Sequence, residues 1–73
     1  MQEELNYNDW VVILATQHLY KAQIAKDVLA DNNIKSIIIN KQDSAYLFGE
    51  IELYSLKKDA LVASNIIKQI KYN

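Results

Sequence analysis

Between Trp10 and Thr16 the chain reads "WVVILAT", an apolar run rich in β-branched and aromatic residues without polar alternation. Such a run predicts a strand covered on both faces. Beyond it the period changes. Ala22, Ile24, Ala25, Val28 and Leu29 share one face of a helix turning about 100° per residue, and Gln23, Lys26, Asp27 and Ala30 share the other. The helix is expected to open at Thr16 or Gln17, with the threonine hydroxyl as N-cap. It should close at "DNN", where Asn32 or Asn33 takes the left-handed conformation that ends helices. Residues 34–40, "IKSIIIN", form a second β-branched segment, and a helix joining two strands predicts that they run parallel through a right-handed crossover. After Gly49, "EIELYS" alternates strictly, with Ile51 and Leu53 on one side and Glu50, Glu52 and Tyr54 on the other, the pattern of a half-buried strand. Residues 57–71 predict a second helix whose stripe is Ala60, Ala63, Ile66, Ile67 and Ile70, with Ser64, Asn65 and Lys68 facing water. Its start is poorly marked, because Lys57 and Lys58 oppose the positive end of the helix dipole and Asp59 offsets them only partly.

The order strand, helix, strand, strand, helix gives an α+β fold, a βαββα two-layer sandwich that is ferredoxin-like but lacks the last strand. Two helices then cover one face of a three-stranded sheet, and the third strand lies between the first and second. In that arrangement the first strand is a free edge, which invites pairing by another chain. A homodimer is expected, with Trp10, Val12 and Leu14 along the dimer edge. Residues 1–9 are polar and aperiodic and are expected to be a flexible N-terminus, leaving 10–73 as a single domain.

The loop before the third strand, "NKQDSAYLF", is too long for a two-residue hairpin and carries residues that bond to their own backbone in turns. Gly49 closes it and is the only glycine in a chain without proline. Two readings stand side by side. Positive φ at a bulge or tight turn into the sheet would require a glycine there, and a ligand approaching bare backbone would favour one too.

Composition narrows the classes. With 73 residues there is room for one small core, burying about 60% of the unfolded chain's surface. The absence of cysteine removes disulfides and thiolate chemistry as further support, so association is the simplest remaining source. A net charge of −1 offers no basic field for nucleic acid. The apolar runs are too short to span a bilayer, and the acidic start is unlike a signal peptide, so a cytoplasmic location without membrane attachment is expected.

Three stretches carry a family resemblance: "A-x-x-A-K-x-x-L-x-x-N-x-I", then "INKQDSAYLFGEIELY", then "D-A-x-x-A-x-x-I-I". Over residues 10–70 the chain resembles the small bacterial proteins grouped as prokaryotic signal-transducing proteins, a domain family of unknown function. The most specific parts are "NK-x-DS" and "FGEIEL". The resemblance implies a βαββα domain similar to regulatory folds that sense nitrogen status or amino acids, and a role in signal transduction. Asn33 stands where a glycine is common, Ser55 where a valine is, and Leu56 where a proline often is.

Candidate chemistry is sparse. Glu50 and Glu52 share a strand face about 7 Å apart, a spacing that a cation could bridge, although alternating acids on an open sheet face are as a rule simply solvated. His18 is the sole histidine and cannot complete a zinc set; it is expected to be exposed in the first helical turn. No nucleophile elbow or phosphate loop is present, so no enzyme activity, metal or cofactor is expected. The favoured function is a regulatory or interaction module in which the 40–50 loop and the adjoining sheet face bind a protein partner or a small polar ligand. Its residues would be Asn40, Lys41, Asp43, Ser44, Tyr46, Phe48, Gly49 and Glu50, with Lys41 and Asp43 giving directional charge and Tyr46 an anchor. The alternative is a purely structural, self-associating subunit.

Overall fold

The computed structural model describes residues 9–42 and 49–72. Its elements are β1 (Trp10–Thr16), α1 (Leu19–Asp31), β2 (Ser36–Asn40), β3 (Ile51–Leu56) and α2 (Ala60–Lys68), with a 3₁₀ turn at Lys57–Asp59 leading into α2. The sheet order is β1-β3-β2, and β3 is antiparallel to both neighbours. The outer strands therefore run parallel to each other with β3 between them, as the βαββα reading requires.

Burial along β3 alternates without a break, Ile51, Leu53 and Ser55 being buried and Glu52, Tyr54 and Leu56 half-buried. The buried row faces the helices. Ala25, Leu29, Ile34, Leu53, Ala63 and Ile67 form the core, with Ile13, Leu14, Ile38, Ile66 and Ile70 packed around it. Ala22 and Ala25 are fully buried, small side chains that let α1 lie close against the sheet. Among the described residues no helix is long and apolar enough to cross a membrane.

The end of α1 follows from asparagine chemistry. Asn33 sits at φ 63, the N–H of Ile34 donates to the Leu29 carbonyl at 2.9 Å, and the N–H of Asn33 donates to the Ala30 carbonyl at 3.0 Å. This paired closure satisfies the last carbonyls and brings buried Ile34 against Leu29. The start of α1 departs from expectation. Thr16 does not cap the helix, because it remains in β1 opposite Ile51. Its hydroxyl instead accepts the N–H of His18 at 3.1 Å, and His18, exposed, occupies the N-cap position in an extended conformation. Pairing with β3 thus holds the threonine in the sheet, two residues short of the helix. α2 is also shorter than its apolar stripe suggests. The two lysines that oppose the dipole lie in the 3₁₀ turn rather than in the helix proper.

β1 contains a bulge. Val12 opposes Tyr54 and Leu14 opposes Leu53, so Ile13 is the extra residue. Leu14 consequently faces the helix layer with Leu53, whereas Val12, 45% exposed, lies on the Tyr54 face. The expected edge residues Val12 and Leu14 are thereby divided between opposite faces of the sheet.

Candidate functional site

The root of the loop between β2 and β3 is held at three points. The Lys41 N–H donates to the Glu50 carbonyl at 3.0 Å, extending the β2–β3 ladder by one residue pair. The side-chain oxygen of Asn40 accepts the N–H of Gln42 at 2.9 Å, bending the chain out of the sheet. The side-chain amide of Gln42 in turn donates to the Gln17 carbonyl at 3.1 Å and ties the loop to the β1–α1 turn. Gly49 completes the closure at φ +88. A Cβ built there would run into the carbonyl oxygen of Lys41, so the space left by the missing side chain is filled by the chain's own backbone. That accounts for the single glycine in structural terms.

On the sheet face away from the helices, three polar side chains converge. The Lys41 ammonium stands 2.9 Å from Glu52 Oε1, and the Tyr54 hydroxyl donates to the same oxygen at 2.7 Å. Period-2 alternation puts Glu52 and Tyr54 on one face, and the register sets Lys41 diagonally across from Glu52. Two donors on one carboxylate oxygen favour the ionised acid. The Tyr54 phenol first, then the Lys41 ammonium, hold the Glu52 carboxyl below its ordinary range. Reciprocally, Glu52 raises the Lys41 ammonium and the Tyr54 phenol. Glu52 is therefore not a merely solvated acid. Around the trio the same face is apolar, with Val12, Ile37, Ile39 and Leu56 beside it.

Of the expected site residues, Asn40, Lys41, Gly49 and Glu50 meet at this root, and Glu50 is exposed. Asp43, Ser44, Tyr46 and Phe48 lie outside the described residues, as do residues 1–8. Tyr54 and Glu52 were the partners missing from that set. Their place on the Glu50 face was legible, but the diagonal to Lys41 depends on register. Among the described residues there is no cluster of three or more potential metal ligands.

Open grooves also mark the surface of the described residues, two of them bordered by α1. One, of about 570 Å³, lies at the end of the sheet between Trp10, Ile37 and the last turn of α1. The other, about 480 Å³, runs between Ile24 and Val28 of α1 and Ile66 of α2, reaching Ile70 just beyond it. Comparison of the chain with protein families, curated proteins and solved structures finds no match.

Proposed function

We propose that this chain is a small regulatory or protein-interaction module that recognises its partner through the 40–50 loop and the adjoining sheet face. The observation that supports this most is the Lys41–Glu52–Tyr54 trio, assembled at the base of the loop on a face that neither helix covers. An ammonium, a carboxylate and a phenol held in fixed geometry give orientation, while Val12, Ile37 and Ile39 give contact area. The resemblance of "NK-x-DS" and "FGEIEL" to signal-transducing proteins adds a signalling role, and the short apolar runs with the acidic start add a cytoplasmic location. The reading is one of binding without catalysis, by a protein partner or a small polar ligand.

Alanine replacement of Lys41, Asp43, Tyr46 and Tyr54 tests the proposal. Partners recovered by pull-down, or ligands that raise the melting temperature, should be lost from the variants while the fold is kept. Partners and ligands unchanged in all four would refute it.

The rival is a purely structural subunit whose surfaces serve only self-association, as a homodimer paired through β1. It draws support from that strand's outer position, where a fourth strand would complete a ferredoxin-like sheet. The bulge at Ile13 weighs against flat edge-to-edge pairing. Light scattering at tens of micromolar (about the range where weak dimers form) decides between monomer and dimer.

A further inference from the structure

The other edge of the sheet differs from β1. β2 pairs with β3 in unbroken register from Ser36 to Asn40, without a bulge, and carries no charged residue. Its hydrogen-bond phase is fixed by the bond from the Lys41 N–H to the Glu50 carbonyl. In an antiparallel ladder, bonded pairs recur at every second residue, so Ile39 and Ile37 turn their backbone groups toward β3. Ser36, Ile38 and Asn40 must then direct their N–H and C=O groups outward. Among the described residues no strand pairs with that edge.

The geometry points to β2 as an acceptor for an extended peptide, added antiparallel, with acidic residues bracketing a short alternating apolar core. The backbone supplies the first half of the argument, since outward N–H and C=O groups at every second residue are matched by another strand. Side chains supply the second half. Ile37 and Ile39 lie on the open face, Ile39 being 39% exposed, and Lys35 and Lys41 bracket the strand. β3 is an internal precedent, because its Glu52 is taken up diagonally by Lys41 while Leu53 lies opposite Ile38. Lys41 remains 52% exposed in that bridge, and its ammonium has further N–H groups to offer. A second copy of β2 is a poorer occupant. Antiparallel pairing centred on Ile38 would set Lys35 opposite Lys41 at both ends, and like charges in that position are unfavourable. This edge shares Lys41, Ile37 and Ile39 with the open face proposed above, but the outward backbone groups of Ser36, Ile38 and Asn40 belong to it alone, and their amides report on it separately from that reading.

The test uses the full chain, ¹⁵N-labelled, titrated with the capped peptide ETVTVTE, whose glutamates and valines would share the open face. Saturable shifts and slowed exchange are expected at the amides of Ser36, Ile38 and Asn40, with residues 11–16 unmoved. The capped peptide KTVTVTK should bind about fivefold more weakly or worse, and ETVTVTE N-methylated at its threonines should lose the shifts. Absence of saturable shifts, equal affinity for both peptides, or shifts centred on β1 or the helix groove would overturn the assignment. So would protection of the three amides that rises with protein concentration without peptide, the signature of a second copy on this edge.

Discussion

Replacing Gly49 by alanine should damage the molecule more than any other exposed single-methyl addition. At φ +88 an L-residue is strained by roughly 1–2 kcal/mol. The added Cβ would also meet the Lys41 carbonyl oxygen, which is backbone and cannot rotate away. Relief requires the two chain segments to part, which threatens the 3.0 Å bond from Lys41 to Glu50, worth about 1 kcal/mol. Together the cost is about 2–4 kcal/mol. Domains hold roughly 0.05–0.15 kcal/mol per residue, so a chain of 73 residues has about 4–11 kcal/mol in all. Urea unfolding followed by the fluorescence of Trp10, the only tryptophan, measures the loss directly. Gly49→Asn separates the two causes, because asparagine tolerates positive φ but still carries the colliding carbon. It should remain destabilised, whereas D-alanine at the same position, which favours positive φ and carries its methyl on the other side of Cα from the Lys41 carbonyl, should recover most of the stability. A Gly49→Ala variant within about 0.5 kcal/mol of the parent would refute the argument, being no more than an ordinary surface change.

Three further outcomes follow from the same structure. Asn33→Gly should stabilise by a few tenths to about 1 kcal/mol and Asn33→Val should destabilise by about 1–2, both read by urea unfolding, because the site sits at φ 63. Leu14→Ala should cost about 2–3 kcal/mol and Val12→Ala under about 1, since the bulge turns Leu14 into the core and leaves Val12 exposed; equal losses would mean the bulge is misplaced. The folded Glu52 carboxyl lies below its unfolded value of 4.5, so its contribution is present above that pH and is lost as pH falls through the folded value. Lys41 and Tyr54 lie above their unfolded values of 10.5 and 10.0, so stability also declines as pH rises past about 10. Melting temperature against pH should show both limbs, and Glu52→Gln should flatten them.

Much of this protein was legible without coordinates because it rests on local physics. The apolar face of α1 predicted from spacing is the buried one, Ala22, Ala25 and Leu29 reaching full burial. The stop at Asn33 follows from one residue's tolerance of positive φ, and the lone glycine marked a backbone constraint. Even the strand order was implied by the sequence of elements, since a split βαβ unit leaves room for the third strand in the middle.

What the sequence could not reveal depends on how β3 meets its neighbours. The hydroxyl of Thr16 suits a helix cap, yet pairing with Ile51 keeps the residue in β1. "WVVILAT" has no internal mark for the extra residue at Ile13, and that one residue decides that Leu14 joins the core while Val12 faces outward. Likewise Lys41 and Glu52, eleven positions apart in the chain, become partners only because Asn40 sits opposite Ile51. Propensity, capping and chirality act within a few residues and are written in the sequence; register comes from contacts between distant segments, where a shift of one residue exchanges the two faces of a strand.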